Sequence, residues 1–232
     1  MNNYVHNMFA DIADRYDLLN DVLSFGLHRL WRKQAVKFGA IAPGASILDL
    51  CCGTGDFSFA LFEAAAPSGN VLGVDFVEKM LEIARRKKIA KAPQSDIIFQ
   101  KGDATQLKLE ATTFDYVTSA FGIRNVADTD QCLRESLRVL KPGGKILILE
   151  FGQPTLPVFS HLYHLYGQLV IPILGGLLAG SKAAYEYLPT TAKAYPSGPK
   201  FIALLAQAGF VKAQFKPILF GVAYLYLAEK TR

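Results

Sequence analysis

The sequence predicts an α/β fold: a doubly wound, mostly parallel sheet of seven strands, with helices on both faces and an antiparallel hairpin at its end. Three observations predict it. Short apolar runs alternate with stretches of helical periodicity between residues 45 and 151. Three of those runs end in aspartate, at Asp49, Asp75 and Asp103, and the first leads into the glycine turn Gly53-Thr54-Gly55. The last two β-rich runs, 210–217 and 220–228, are separated by a few residues at most, and so short a link joins only antiparallel strands.

Residues 5–38 read as helices, because Met8, Phe9, Ile12, Ala13 and Tyr16 recur at helical spacing, as do Leu27, Leu30, Trp31, Ala35 and Phe38. Pro43-Gly44 turns the chain into a first strand over 46–50. A helix is expected over 56–66, ended by Pro67-Ser68-Gly69-Asn70, then a second strand over 71–75. The helix over 78–90 has Met80, Leu81 and Ala84 as its inner stripe, and leads to strands over 97–100 and 114–119. A helix over 129–140 is followed by Lys141-Pro142-Gly143-Gly144, read as a tight turn into a fifth strand over 145–151. The unbroken run Ile146-Leu147-Ile148-Leu149 suits a strand covered on both faces. Residues 153–195 are rich in aromatics, proline and glycine and carry no strand signal, so an inserted helical cap is expected there. A helix over 199–208, stopped by Gly209, precedes the hairpin. The organisation expected is one domain over 1–232: N-terminal helices to residue 40, a binding core over 45–151, the cap over 152–196, and a C-terminal helix and hairpin over 197–232.

The 232 residues, 51% hydrophobic and 19% charged, suit a globular chain with a large core and argue against disorder. The net charge of +5 is mild and scattered. Its one cluster, Arg85-Arg86-Lys87-Lys88, reads as a solvated helix end that suits the helix dipole, with at most a weak pull toward anionic lipid. No aromatics interleave with it, so no nucleic-acid partner is expected. Three cysteines cannot build a secreted disulfide framework, which points to a reducing compartment. The N-terminus has no charged and apolar leader, and the most apolar stretch, 165–180, is interrupted by Gln168, Pro172, Gly175 and Gly176. A cytoplasmic chain is expected, peripheral at most to the inner face of a membrane.

The aspartates carry the chemistry. Ligands of an open α/β sheet bind beyond the carboxyl ends of its strands, near the switch point, so Asp49, Asp75 and Asp103 should face one crevice. A carboxylate at the second strand suits a ribose diol, each oxygen accepting one hydroxyl hydrogen. Asp103 can accept from an adenine amine, with the backbone amide of Ala104 available to a ring nitrogen. Asp49 lies beside Gly53 and Gly55, where a dinucleotide would place phosphate; a carboxylate there repels phosphate and attracts a cation. Ser58 also stands where a dinucleotide fingerprint wants its third glycine. These features favour S-adenosylmethionine, which carries an ammonium and a sulfonium. The competing reading of each aspartate alone is a helix cap or a turn former. A parallel sheet closed by an antiparallel last strand is also the architecture of class I S-adenosylmethionine-dependent methyltransferases, a Rossmann-like fold.

Over almost its whole length the chain resembles the ubiquinone/menaquinone biosynthesis C-methyltransferases. Leu48-Asp49-Leu50-Cys51-Cys52-Gly53-Thr54-Gly55-Asp56, Gly73-Val74-Asp75 and Val139-Leu140-Lys141-Pro142-Gly143-Gly144 are generic methyltransferase parts. More specific are residues 16–32, which begin Tyr16-Asp17-Leu18-Leu19-Asn20-Asp21, and Phe121-Gly122-Ile123-Arg124-Asn125-Val126. Tyr185-Glu186-Tyr187-Leu188-Pro189 and Tyr195-Pro196 resemble the family's cap. The resemblance makes Thr54, Asp75, Asp103 and Ala104 contacts of S-adenosylmethionine. Ala120 stands where many members have serine, so that hydroxyl role is not carried over; Cys51 and Cys52 stand where many have glycine or alanine.

The activity implied is methylation of a ring carbon on a prenylated hydroquinone, demethylmenaquinol being favoured over a benzoquinol. Such a carbon is nucleophilic only beside a phenolate-like oxygen. Arg124 is therefore expected to stabilise that oxyanion, Asn125 to orient it, Asp56 to accept the proton and Tyr16, with Asn20, to line the ring. The competing readings are a capping loop in which Arg124 pairs with Asp128, a helix-start carboxylate for Asp56 and a core aromatic for Tyr16. His161 and His164 have metal-ligand spacing but no third ligand nearby in sequence, and no metal is expected. The apolar segment Leu169-Val170-Ile171-Pro172-Ile173-Leu174 either lines a prenyl channel, lies on the membrane, packs over the sheet or forms a homodimer interface. Three other functions compete: a methyltransferase of another apolar phenol or lipid, a nicotinamide-dependent reductase, and a silent member of a quinone-synthesis assembly.

Overall fold

The structure is a computed structural model that describes residues 3–170 and 191–232. Helices α1 (Asn3–Ile12), α2 (Tyr16–Ser24) and α3 (Leu27–Gly39) come first, followed by β1 (Ser46–Leu50), α4 (Asp56–Ala65), β2 (Asn70–Asp75), α5 (Glu78–Lys91) and β3 (Ile97–Lys101). Then come β4 (Phe114–Ala120), a 3-10 turn over Ile123–Asn125, α6 (Thr129–Val139), β5 (Leu140–Phe151) and α7 (Pro157–Leu165). After the cap follow α8 (Pro199–Gln207), β6 (Val211–Ile218) and β7 (Ala223–Glu229). Among the described residues seven strands form one sheet in the order β3-β2-β1-β4-β5-β7-β6. The strands from β3 to β5 are parallel, and β7 is antiparallel to both β5 and β6.

Burial on both faces explains the unbroken apolar runs. Ile47, Tyr116 and Leu147 point to one face, where Trp31 and Ala35 of α3 and Leu61 of α4 pack on them. Their immediate neighbours Leu48, Val117 and Ile148 point to the other, under Leu133 of α6 and Phe201 of α8. The chain builds outward from β1 to β3, then returns to lay β4 on the other side of β1. That reversal is the switch point, and it puts the carboxyl ends of β1, β2 and β4 around one crevice.

The expected turn at residues 141–144 lies inside β5 rather than ahead of it. The extended chain begins at Leu140, which pairs with Phe114, and the register slips before Tyr116 meets Lys145. Gly143 takes a φ of +75° within this stretch. The Gly143 amide donates to the Lys230 carbonyl at 3.1 Å, and the Lys230 amide donates to Gly144 at 2.8 Å. Partners at the far end of the chain thus tie the turn into the strand as a bulge, which local turn chemistry could not reveal.

The N-terminal helices lie over the carboxyl end of the sheet: Met8, Ile12 and Leu19 pack together, and Ala13 packs with Val77 and Met80 at the start of α5. The cap begins with α7 and a π-helical turn over Tyr166–Val170, and the Tyr166 hydroxyl donates to the Leu23 carbonyl at 2.9 Å. Residues 171–174 of the apolar segment and the Tyr185-to-Pro189 motif lie outside the described residues. Among the described residues no helix is long and apolar enough to cross a membrane.

Candidate active site

The glycine turn after β1 is a run of left-handed backbone, with φ of +54° at Cys51, +54° at Gly53 and +83° at Gly55. A Cβ on Gly55 would come within 2.6 Å of the Phe99 ring, so only glycine fits there. A Cβ on Gly53 would meet nothing nearer than the Tyr16 ring at 4.0 Å, so the turn opens onto free space. That space is a cleft lined by Val5 and Phe9 of α1, Tyr16 of α2, Asp75, Asp103 and Asn125, among others.

Asp75 and Asp103 therefore face the same cleft, as expected. The Asp75 carboxylate accepts from the Gly53 amide at 2.8 Å and the Val77 amide at 2.9 Å. Burial raises its pKa, and those amides, with that of Phe76, oppose the rise. Asp103 takes both the amide (2.9 Å) and the hydroxyl (2.7 Å) of Thr105 on one oxygen, Oδ1, so the other oxygen of this cleft-lining carboxylate keeps its acceptor capacity. Ala104 lines the cleft beside it.

Asp49 sits one layer deeper. It is fully buried, and its oxygens accept from the hydroxyls of Ser58 (2.6 Å) and Thr118 (2.9 Å). It borders a small polar chamber next to the main cleft, together with Arg32, Thr54 and Asp56. Burial pushes its pKa up to about 7 against the pull of the two hydroxyls. The sign of the consequence follows. The unfolded chain releases this proton near pH ~3.9 while the folded chain keeps it until about 7, so the stability Asp49 contributes falls as pH rises through that window, at up to about 1.4 kcal/mol per unit. Asp49→Asn removes the titration. In urea unfolding between those limits, the stability of the native chain should decline relative to the variant; a constant difference would mean that the carboxyl ionises as it does in water.

Thr54, Asp56 and Lys87 tie the turn to the N-terminal helices. The Thr54 hydroxyl donates to Asp17 at 2.6 Å, and the Lys87 ammonium reaches Asp17 at 2.5 Å, Asp56 at 2.7 Å and Thr54 at 3.1 Å. Lys87 thus departs from the solvated helix end expected for its cluster: its side chain is only 15% exposed. Burial acts to raise the Asp56 pKa, but Lys87, with Arg32 and His28 behind it, outweighs burial and holds the carboxyl below its ordinary value. Burial raises the pKa of Tyr16, which lines both the cleft and the chamber.

Arg124 is buried and pairs not with Asp128 but with Glu150, at 2.6 Å. Asp128 instead caps α6, accepting from the Gln131 amide at 2.9 Å. Glu150 also accepts the Arg124 amide (3.2 Å) and the Phe151 amide (2.8 Å), so this carboxylate fixes both backbone and side chain of the loop after β4. The Arg124 guanidinium lies over the Phe151 ring, 5.1 Å from its centroid, and its charge is felt at Tyr163 of α7. Asn125, the next residue, lines the cleft. The Arg124 Nε and the Asn125 Oδ1 are both buried without a partner in the protein. Buried orphan groups of this kind mark places where a ligand completes the bonding.

The donor set fits S-adenosylmethionine. Two acceptor carboxylates stand at the β2 and β3 tips for a ribose and an adenine. The glycine turn is flanked by Asp49 and Asp56, a setting that disfavours the pyrophosphate of a dinucleotide. No group of three or more His, Cys, Asp or Glu side chains stands close enough to hold a metal ion among the described residues.

Fold and rim together define a class I S-adenosylmethionine-dependent methyltransferase. Solved structures agree on the fold: a methyltransferase from Thermotoga maritima superposes with a TM-score of 0.68 at 20% identity over 97% of this chain and 99% of that one. Another from Aquifex aeolicus gives 0.65 at 17% identity, over 86% and 89%. The chain belongs to the ubiE/COQ5 methyltransferase family, which it matches over residues 1–230. It is 42% identical over 228 residues to the demethylmenaquinone methyltransferase of Staphylococcus aureus strain JH9, covering 98% of this chain and 93% of that protein.

Proposed function

We propose that this methyltransferase transfers a methyl group from S-adenosylmethionine to a ring carbon of a prenylated quinol, converting demethylmenaquinol to menaquinol. The observation that carries the reading is that two acidic strand tips and Asn125 line one crevice, with unsatisfied buried polar atoms on Asn125 and on its neighbour Arg124. The 42% identical demethylmenaquinone methyltransferase supports the choice of ring.

The cofactor supplies an electrophilic methyl on a sulfonium. Everything else falls to the protein. Asp75 takes the ribose hydroxyls, Asp103 and the Ala104 amide take the adenine, and Thr54, Gly53 and Gly55 shape the turn against which the donor rests. Asp49 lies behind the positive end, whose charge favours the ionised carboxyl that burial disfavours. The ring lies between this cleft and the cap, along Tyr16 and Asn125. There Arg124 stabilises the developing phenolate-like oxygen and Asn125 fixes its direction. Asp56 was expected to take the phenol proton, but a carboxyl held below its ordinary pKa by Lys87 and Arg32 is a weak acceptor. Its stronger role is to anchor those two cations. The phenol proton leaves to water, and the methyl bonds to the ring carbon as its bond to sulfur breaks and S-adenosylhomocysteine departs. Loss of that carbon's hydrogen to water as a proton restores the aromatic ring. A prenylated ring is insoluble, so the enzyme draws it from the cytoplasmic face of a bilayer. Phe25 and Leu165, exposed beside the cap, supply apolar surface for that contact.

The test is a mass-resolved assay with labelled S-adenosylmethionine and both demethylmenaquinol and a demethylated benzoquinol. A product one methyl heavier from the naphthoquinol is expected. Binding of NADH in place of S-adenosylhomocysteine, or no product from either quinol, would overturn the reading.

A further inference from the structure

Helix α3 has one face that the site does not use. Its inner stripe, His28, Trp31, Ala35 and Gly39, is buried on the sheet. Its outer face exposes Leu30, Lys33, Gln34 and Lys37, next to Arg29. From residue 25 to residue 40 the chain carries four cations and no carboxylate. Arg29 is spent on Asp21, at 2.8 Å, and Arg32 turns inward to Asp56. Lys33 and Lys37 reach no carboxylate among the described residues. They stand as free cations on long apolar stems.

The apolar part of this face lies at the cleft end of the helix. Arg32 reaches the glycine turn, while the Ala40 carbonyl takes the Tyr116 hydroxyl at 2.9 Å at the other end of the sheet, so the first turn of α3 stands at the rim. Leu30 is 51% exposed there, and Phe25, in the turn before the helix, is 79% exposed. Phe25 also holds a left-handed backbone, with φ of +50°. Glycine is the usual residue at such a helix end, and a bulky side chain is strained in it. An exposed phenylalanine kept in a glycine's conformation points to work outside the fold. Its ring lies 6.1 Å from that of Tyr166 in the cap, beside the exposed Leu165.

We propose that this face docks the protein on a bilayer of anionic lipids, with Lys33 and Lys37 on the headgroups and Phe25 and Leu30 in the acyl boundary. A helix with free lysines beside exposed apolar side chains has the chemistry of an interfacial helix. Docked so, the mouth between α3 and the cap meets the layer that holds a prenylated ring. The purpose of the surface rests on that substrate reading; its affinity for lipid does not.

Cosedimentation of the whole chain with vesicles, in the absence of quinol, tests it. One vesicle is phosphatidylcholine alone, the other equal parts of phosphatidylcholine and phosphatidylglycerol. The native chain should sediment with the mixed vesicles, far less with the neutral ones, and less as salt rises. Lys33→Gln with Lys37→Gln should weaken binding about 30-fold, at about five-fold per lysine near an anionic surface. Phe25→Gly should weaken it about 10-fold or more, yet unfold at no lower denaturant concentration than the native chain, because glycine suits that backbone. All variants should bind S-adenosylhomocysteine as the native chain does. Equal sedimentation with both vesicles, native binding by the double lysine variant, or sedimentation only with membranes that still carry their own proteins would overturn the proposal. A chain that sediments as expected but methylates neither quinol would instead sink the substrate reading.

Discussion

Replacing Arg124 by alanine should lower kcat about 10²–10³-fold while leaving S-adenosylhomocysteine affinity near that of the native chain. The range is that for removing one preorganised donor to a developing oxyanion. Stability complicates the experiment, and the structure says how. Arg124 and Glu150 are both buried and paired, so deleting the arginine strands a carboxylate, at a cost of about 3–5 kcal/mol. The variant should therefore melt early as well as turn over slowly. Adding Glu150→Gln removes the stranded charge. The double variant should regain most of the stability and none of the rate. Denaturant unfolding and steady-state kinetics on the same three proteins separate the two roles. Recovery of rate along with stability would reduce Arg124 to a structural ion pair, and wild-type turnover by the single variant would remove the oxyanion role outright.

Asp75→Ala should weaken S-adenosylhomocysteine and 5′-methylthioadenosine together, by about 100-fold or more, since both carry the ribose. Two hydroxyl-to-carboxylate bonds at about 1.5–3 kcal/mol each set that scale. The carboxylate also receives the Gly53 and Val77 amides, so its loss unsettles the glycine turn from below. Calorimetric titration reads both affinities. An Asp75→Ala chain that bound either ligand as the native chain does would place the ribose elsewhere.

Much of the fold was legible because its causes are local. The β1 bounds were read from the run that ends at Leu50, and β2, β3 and β4 lie within a residue of their expected limits because apolar runs and turn residues bracket them. The hairpin of β6 and β7 followed from chain length alone. The turn at 141–144 was legible, but not its place inside β5, because its partner, Lys230, lies at the other end of the chain. The site divides the same way. Asp75 and Asp103 could be placed by where their strands end. Lys87 could not: its role depends on Asp17 and Asp56 from two other helices, and inside α5 it looks like one cation in a row of four. Arg32 was hidden for the same reason. Glu150 did leave a signal, since a carboxylate ending the run Ile146-Leu147-Ile148-Leu149 in a doubly covered strand must find a buried cation. Arg124, after the neighbouring strand, was the one within reach.

The salt links from Lys87 to Asp17 also bear on how tightly the donor is held. Val5, Phe9 and Tyr16 line the cleft from the first two helices, so on the proposed reading the donor's dissociation constant equals the intrinsic one divided by the fraction of molecules with those helices seated. A lysine–aspartate contact that touches no ligand thereby sets part of the affinity. Ionic strength, by screening the more exposed Asp17 end of that contact, acts as a tuning knob on a ligand many bonds away.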